Sequence, residues 1–156
     1  MKIADYLKKE NVFTTLDTKY ESTTAFYSDF SLFLQERKII PDPMRIKRLF
    51  IKRESLQSTG IGRGAAAPHV YADDFSEFLL ALSFVRKGID FKSPDNQPVY
   101  LIFLLMSTEA EVSLHLKMLS RVAKLVGGTD IVSAVRNARS TEEICELIAE
   151  REKLID

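Results

Sequence analysis

This sequence of 156 residues has a single cysteine and no excess of charge of either sign. Cys145 is the only cysteine, which excludes an intramolecular disulfide and a cysteine-based metal cluster. One free thiol fits a reducing compartment, so we expect a cytoplasmic protein. Lys+Arg and Asp+Glu each number 22, so the net charge is zero and gives no electrostatic reason to expect nucleic acid as the main partner.

Long apolar runs are absent as well. No run approaches the roughly 18 residues that a membrane-spanning helix needs, so we expect no membrane insertion. The first ten residues carry charges throughout and lack an apolar centre, so we expect no secretory signal. The length fits a single domain over residues 1–156, and a hydrophobic content of 46% is ordinary for a globular protein.

Strand and helix signals alternate along the chain. Apolar and β-branched runs predict strands at Val12–Leu16, Phe78–Val85 and Val99–Met106. Apolar spacing and capping residues predict helices over residues 24–37, 43–54, 111–126 and 140–153. Glycines predict a turn at Lys87–Gly88 and a helix end at Gly127–Gly128. Together these signals predict a three-layer α/β/α sandwich with a mixed, mostly parallel central sheet of about five strands.

The glycine-rich stretch from Ser58 to His69 stands apart from this pattern. It places Gly60, Gly62 and Gly64 at every second position and ends in Pro68-His69. A P-loop would continue into Gly-Lys-Ser/Thr, and a dinucleotide fingerprint needs another glycine spacing, so neither motif fits. Two interpretations stay open, namely a tight surface turn and a backbone whose N–H groups approach an anion.

His69 and His115 are the only two histidines and the candidate reactive groups. Pro68 fixes its own φ and favours an extended residue before it, so we expect few orientations for the His69 ring. His115 falls on the core-facing side of the 111–126 helix, near its N-terminus and beyond the carboxyl end of the central strand, where sites collect in open α/β folds. A neutral imidazole can serve as base, nucleophile or metal ligand, and a structural role stays an alternative for each ring.

Metal binding and hydrolase chemistry have less support. Two histidines need further ligands, and the spacing of Asp73, Glu109 and Glu111 matches no zinc pattern. A Ser-His-Asp hydrolase would need a Gly-x-Ser-x-Gly elbow, which the sequence lacks. Arg53 follows Phe50 by three positions on the apolar stripe of the 43–54 helix. This spacing alone favours a side chain that snorkels to solvent over one that binds an anion.

Several segments together resemble a known family. In chain order they are Arg53-Glu54, Ser58-Thr-Gly-Ile-Gly-x-Gly64, Pro68-His69, Gly88-Ile-Asp-Phe91, Asp95-Asn-Gln-Pro-Val99, Leu101-Ile-Phe-Leu-Leu105 and His115-Leu-x-x-Leu-Ser-x-Val-Ala-Lys124. They resemble the enzyme IIA domain of the fructose/mannitol class of the bacterial phosphoenolpyruvate-dependent phosphotransferase system. The segments that begin at Asp95 and Leu119 look most like the nitrogen-regulatory branch, whose members are usually free-standing.

The resemblance implies that His69 is the phosphorylated nucleophile and that His115 supports the phosphoryl group. It also implies that Arg53 binds the phosphate charge, which now favours the anion over the snorkelling alternative. The donor would be a histidine-phosphorylated, HPr-like carrier protein, and the receiver a IIB cysteine or a regulatory target. We expect no metal or other cofactor, and loop contacts to the phosphate from Thr59, Gly60, Gly62, Gly64 and, less clearly placed, Arg63.

Three functions stay open. The first is a stand-alone regulatory IIA that signals by its phosphorylation state, the second a sugar-transport component that donates to a IIB cysteine, and the third a binding module that transfers no phosphoryl group. The sequence departs from the family's usual pattern at Arg63, usually Asn, at Ala65 and Ala67, usually larger aliphatic residues, and at Val70, usually a small residue. We expect these departures to affect partner docking more than the chemistry.

Overall fold

The computed structural model describes residues 1–73, 75 and 77–156. A mixed six-stranded sheet forms its centre. In chain order the strands are β1 (Val12–Thr15), β2 (Gly60–Gly62), β3 (Ala65–Ala66), β4 (His69–Tyr71), β5 (Leu79–Ile89) and β6 (Val99–Ser107). The helices are α1 (Ile3–Tyr6), α2 (Thr23–Glu36), α3 (Pro43–Leu56), α4 (Val112–Gly128), α5 (Ile131–Arg136) and α6 (Thr141–Glu152), and 3-10 turns lie at Lys9–Asn11 and Glu109–Glu111.

Strands β5 and β6 form the middle of the sheet. The order is β1-β5-β6-β3-β2, and β4 also pairs with β6. The long β5–β6 ladder and the short β2–β3 ladder are antiparallel. The β1–β5, β3–β6 and β4–β6 ladders are parallel, so three of the five pairings in the described residues are parallel. The predicted mixed sheet is therefore confirmed.

Helices cover both faces of this sheet. On one face, α2 and α3 contribute an aromatic core that packs with Ala66 and Val70. On the other face, α1, α4, α5 and α6 pack with Ala65 and Ala67. Successive residues of a strand point to opposite faces, which explains this division. The three layers are as predicted, and the four long predicted helices occur with ends shifted by at most two residues. None of the helices in the described ranges is both long and apolar enough to cross a bilayer.

The predicted turn at Lys87–Gly88 is wrong. Strand β5 continues through both residues to Ile89, although its register with β6 shifts between Phe84 and Ile89. Gly88 has φ +76°, a left-handed value that suits glycine. The glycine therefore belongs to a bulge inside a long strand rather than to a turn between two strands.

The predicted helix end at Gly127–Gly128 is also displaced, because both glycines lie within α4. The Thr129 hydroxyl donates to the Leu125 carbonyl at 2.7 Å. Arg63 Nη1 donates to the Gly127 carbonyl at 3.0 Å. Side chains thus satisfy the last carbonyls of α4, and a left-handed glycine is not needed to end the helix.

The Glu152 carboxylate joins the two ends of the chain. It is fully buried and accepts hydrogen bonds from the backbone N–H groups of Ile3, at 2.7 Å, and Ala4, at 2.9 Å. Arg121 Nε donates to the same carboxylate at 2.6 Å. Glu152 therefore caps the N-terminus of α1 from α6, at the far end of the sequence.

We predict that Glu152→Ala lowers the free energy of unfolding by roughly 3 kcal/mol, because the buried Ile3 N–H, the partly buried Ala4 N–H and the Arg121 guanidinium lose their acceptor. Urea denaturation measures this loss. Glu150→Ala is the matched control, because Glu150 is exposed and contacts Arg151 only at 3.4 Å. Its expected effect is about 0.5 kcal/mol or less. Equal losses in the two variants would contradict the capping role of Glu152.

Candidate functional site

The register of β4 against β6 sets the position of His69. His69 lies opposite Leu105, and Tyr71 lies opposite Ser107. Residues two apart on a strand share a face, so His69 and Tyr71 point to the same side as Ala67, toward α4. Pro68 separates β3 from β4, and Leu105 N–H donates to its carbonyl at 3.0 Å. The few orientations expected for the His69 ring thus correspond to a short strand that is hydrogen-bonded to β6.

The His69 ring has one nitrogen bound and one free for chemistry. Nδ1 lies 2.9 Å from the carbonyl oxygen of Ala67. Because a carbonyl oxygen only accepts, Nδ1 carries the proton and Nε2 keeps the lone pair. Burial lowers the pKa of His69, and the Arg53 guanidinium acts in the same direction, against the opposing effect of the bond to Ala67. The ring is therefore neutral at neutral pH and nucleophilic at Nε2.

His115 meets His69 from α4. The two ring centroids are 5.4 Å apart at an interplanar angle of 73°. The His115 ring is fully buried, stacks on Tyr71 at 4.4 Å, and has Phe78 at 6.3 Å in an edge contact. Its Nδ1 lies 2.7 Å from Ser107 Oγ, whereas Nε2 has no hydrogen-bond partner among the described residues. The two histidines that the sequence singles out therefore form one site.

Arg53 lies beside His69 in a cleft of about 230 Å³. The walls of this cleft include Thr59 and Gly60 from the glycine-rich stretch and Leu119 from α4. The guanidinium is half-buried, and its Nη1 donates to the Gln57 carbonyl at 2.9 Å. This bond orients the guanidinium near the end of α3, and its other N–H groups are available to an anion at His69.

Glu54 anchors the start of the glycine-rich stretch. Its carboxylate accepts hydrogen bonds from the Thr59 N–H at 2.7 Å, the Thr59 hydroxyl at 2.7 Å and the Tyr27 hydroxyl at 2.6 Å. Gly60 N–H donates to Ser58 Oγ at 3.1 Å. The N–H groups of Thr59 and Gly60 thus already have acceptors within the protein. A phosphate contact from either would have to replace one of these bonds.

A left-handed turn joins β2 to β3. Gly62, Arg63 and Gly64 have φ values of +84°, +57° and +81°. Arg63 N–H donates to Asp95 Oδ2 at 3.0 Å, and Gln97 N–H donates to Asp95 Oδ1 at 3.2 Å. These two bonds hold the pKa of the Asp95 carboxyl below its usual range. The Asp95-Asn-Gln segment therefore acts as a structural anchor for the glycine turn.

The Arg63 side chain points to the other end of α4. Its guanidinium binds the Gly127 carbonyl, twelve residues after His115, which is about 18 Å along a helix axis. Arg63 and Gly64 line a separate cavity of about 500 Å³ with Tyr100 and Arg136. The sequence analysis expected phosphate contacts from Gly62 and Gly64 and, less clearly placed, from Arg63, and none of these three lines the His69 cleft.

The other departures from the family pattern also lie in the core. Ala65 and Ala67 are buried beneath α4 and face the same side as His69. Val70 is buried on the opposite face, against α2 and α3. Val70 therefore does not face the site, and its larger side chain fills core volume instead.

Sequence reasoning missed three residues that shape the site. Tyr71 and Ser107 are brought to His115 by the β4–β6 register, which no local pattern predicts because β4 has three residues. Glu54 stands in the Arg53-Glu54 motif, so the resemblance already pointed to it without giving it a role. In the part of the chain that the structure describes, no group of three or more His, Cys, Asp or Glu side chains is arranged to hold a metal ion.

Comparison with known proteins identifies the class and then the family. The family model described as "Phosphoenolpyruvate-dependent sugar phosphotransferase system, EIIA 2" matches residues 5–151. The chain therefore belongs to this family of phosphotransferase-system EIIA components. The resemblance seen in the sequence is confirmed.

Relatives fall into regulatory and transport groups. The nitrogen regulatory protein of Escherichia coli is 32% identical over 76% of this chain and 74% of its own length. The fructose-specific EIIABC component of Bacillus subtilis is 29% identical over 98% of this chain, which spans only 24% of that protein. The solved IIA-Ntr of Neisseria meningitidis has a TM-score of 0.82 and 27% identity, covering 94% of this chain and 98% of its own. The IIA of the E. coli mannitol system, solved in complex with phosphorylated IIB, shares the fold with a TM-score of 0.73 and 18% identity, covering 92% of this chain and 99% of that one.

Acid should destabilise the protein through His115. Burial, with a smaller contribution from His69, lowers the pKa of His115 to about 4, whereas an unfolded histidine titrates near 6.5. Between these values the unfolded chain binds the proton and the folded one does not, so stability falls as pH falls. We predict that the free energy of unfolding falls between pH 7 and pH 5 by about 2 kcal/mol more in the wild type than in His115→Gln. Urea denaturation at both pH values tests this, and equal losses would show that His115 is not held neutral.

Proposed function

We propose that the chain, as a single IIA domain over residues 1–156, is a phosphoryl carrier that accepts a phosphoryl group on His69 from a histidine-phosphorylated carrier protein. The observation that carries this proposal is the state of His69. Its ring is neutral, its Nδ1 proton is bound to the Ala67 carbonyl, and His69 lines a cleft that it shares with Arg53. Membership of the EIIA 2 family supports the same role.

The transfer is an in-line displacement at phosphorus. The lone pair on His69 Nε2 forms the new N–P bond, and the N–P bond to the donor histidine breaks, with its electron pair returning to the donor ring. Positive charge then develops on the His69 ring. The bond from Nδ1–H to the Ala67 carbonyl stabilises that charge, because the carbonyl is an acceptor already in place at 2.9 Å.

Arg53 and His115 stabilise the phosphoryl oxygens. The Arg53 guanidinium offers a planar fork of N–H donors beside His69. His115 offers a buried nitrogen, Nε2, that has no partner among the described residues until the phosphoryl group arrives. Thr59 and Gly60 line the cleft. The loop is held by the bond from the Thr59 N–H to Glu54 and by the bond from the Arg63 N–H, between Gly62 and Gly64, to Asp95. Direct phosphate contacts from these loop residues remain predictions.

Apolar side chains around the cleft suit a protein donor. Leu56 follows Arg53 at the end of α3 and is 75% exposed, and Ile61 in the cleft wall is 40% exposed. Val112 and Leu116 flank the first turn of α4, near His115, and are 45% and 57% exposed. These four are among nine large hydrophobic side chains exposed in the described residues. Exposed apolar groups around a reactive histidine favour docking of a partner protein over binding of a free metabolite.

We infer that the protein is regulatory and signals by its phosphorylation state. The solved Neisseria IIA-Ntr chain matches over almost its full length, and the E. coli nitrogen regulatory protein is similar over about three quarters of its length. The second candidate is a transport component, favoured by the match of 98% of this chain to the fructose-specific EIIABC protein. In that role a IIB cysteine would receive the phosphoryl group. A module that transfers no phosphoryl group is the third alternative.

Phosphorylation tests the proposal directly. We expect phosphoenolpyruvate, enzyme I and the cognate carrier to label the wild type with acid-labile phosphate, and His69→Ala to take up no label. His115→Ala leaves the nucleophilic Nε2 of His69 in place, so this variant should still accept phosphate, but more slowly. Full labelling of His69→Ala would overturn the site. Absence of label on the wild type with any cognate carrier would favour the non-transferring alternative, and rapid passage of label to a purified IIB would favour transport.

Two arginines provide a matched pair of variants. Arg53→Gln should slow phosphoryl acceptance about 100-fold, since a charged donor to the transferred group is removed. Arg63→Gln should change acceptance less than about twofold, because its guanidinium lies at the far end of α4. Single-turnover labelling measures both rates, and circular dichroism checks that both variants fold. Similar losses in the two variants would contradict the assignment of Arg53 to the phosphate.

A further inference from the structure

Ser107 ends β6 next to His115 and is fully buried. Its Oγ has two neighbours that compete for its single proton. His115 Nδ1 is 2.7 Å away, and the Thr108 carbonyl oxygen is 3.3 Å away. The contact to the Thr108 carbonyl is long, and that carbonyl already accepts a hydrogen bond from the Glu111 N–H at 3.1 Å. The hydroxyl proton is therefore better used at Nδ1 while His115 is neutral.

This choice decides where His115 carries its own proton. A neutral imidazole has one N–H, and a nitrogen that accepts a hydrogen bond is the one without it. Acceptance at Nδ1 thus leaves the proton on Nε2. That nitrogen is buried and has no partner within the described residues. The neighbouring His69 ring is 5.4 Å away, centroid to centroid.

We propose that Ser107 is a positioning residue whose hydroxyl holds His115 in the Nε2–H form, so that a hydrogen-bond donor stands ready for the phosphoryl group on His69. This inference rests on the proposed function for its use, although the protonation pattern itself does not. Tyr71 stacks on the His115 ring and Phe78 meets it edge-on, and both fix the ring plane. Neither of these aromatic rings distinguishes one ring nitrogen from the other, whereas the Ser107 hydroxyl does.

The same hydroxyl serves both charge states of His115. When a dianionic phosphoryl group is bound at His69, the His115 ring can take up one proton from solvent at Nδ1. Nδ1–H then donates to Ser107 Oγ, and the hydroxyl turns its proton to the Thr108 carbonyl. Nε2–H keeps its bond to the phosphoryl oxygen throughout. A change of charge therefore needs rotation of one hydroxyl and no movement of the ring. Among the described residues, the titratable groups in contact with the His115 ring include His69 and Tyr71, and the charges of Arg53 and Glu54 act on the pKa of His69.

Nitrogen-15 NMR of the imidazole rings tests the protonation pattern without any phosphoryl donor. In the unphosphorylated wild type at pH 7, we expect His115 in the Nε2–H form and His69 in the Nδ1–H form. Because the two rings are expected to carry their protons on opposite nitrogens, the spectrum of each ring is a reference for the other. A His115 ring with its proton on Nδ1 would overturn the proposal, whatever the phosphorylation assay shows.

Ser107 variants test the consequence for transfer. Ser107→Ala removes the hydroxyl and should give a mixture of the two His115 forms, together with phosphoryl acceptance about tenfold slower at unchanged apparent affinity for the carrier. Ser107→Thr keeps a hydroxyl and should restore both the Nε2–H form and most of the rate. A wild-type His115 spectrum in folded Ser107→Ala would overturn the proposal. If the wild type takes up no label, the proposed function fails, and the NMR result still decides the role of Ser107.

Discussion

The parallel pairing of β4 with β6 is the contact on which the site depends. It sets His69 opposite Leu105 and Tyr71 opposite Ser107, so that three groups of the site, His69, Tyr71 and Ser107, follow from one register. A shift of one residue would turn His69 toward α2 and α3, because side chains alternate between faces. A three-residue strand does not fix its own register. The bonds from Leu105 N–H to the Pro68 carbonyl and from Ala72 N–H to the Ser107 carbonyl hold both of its ends.

Under the proposed function, burial of the two histidine rings favours binding of a phosphoryl group. Both rings are kept neutral by burial, so neither offers a permanent charge, and one buried nitrogen of His115 lacks a partner among the described residues. An unsatisfied buried polar group costs about 1–3 kcal/mol. A phosphoryl oxygen would satisfy it and would meet the Arg53 guanidinium at the same time. In the proposed carrier role, relief of this cost would favour uptake of the transferred phosphoryl group.

The sequence alone was enough to predict the features that depend on local patterns. Helical spacing placed His115 on the buried side of α4, and the order of strand and helix placed it at the carboxyl end of β6; both were correct. Helical spacing also put Arg53 on an apolar stripe and favoured snorkelling, because it carries no information about a neighbour from another element. The strands β2, β3 and β4 have two or three residues each and form only by pairing with one another or with β6. Contacts that depend on that pairing, such as Tyr71 and Ser107 with His115, had no signal in the sequence.

Arg63, one of the residues that depart from the family pattern, has a structural role. Its φ of +57° is a left-handed value that Asn adopts more readily than Arg. Two bonds offset that cost, one from its N–H to Asp95 and one from its guanidinium to the Gly127 carbonyl, where the negative end of the α4 dipole favours a cation. Arg63 thereby ties the glycine turn to α4. That bond to the Gly127 carbonyl lies at the end of α4 away from His115, about 18 Å along the helix axis, so it stabilises the turn and the helix end rather than the His69 cleft.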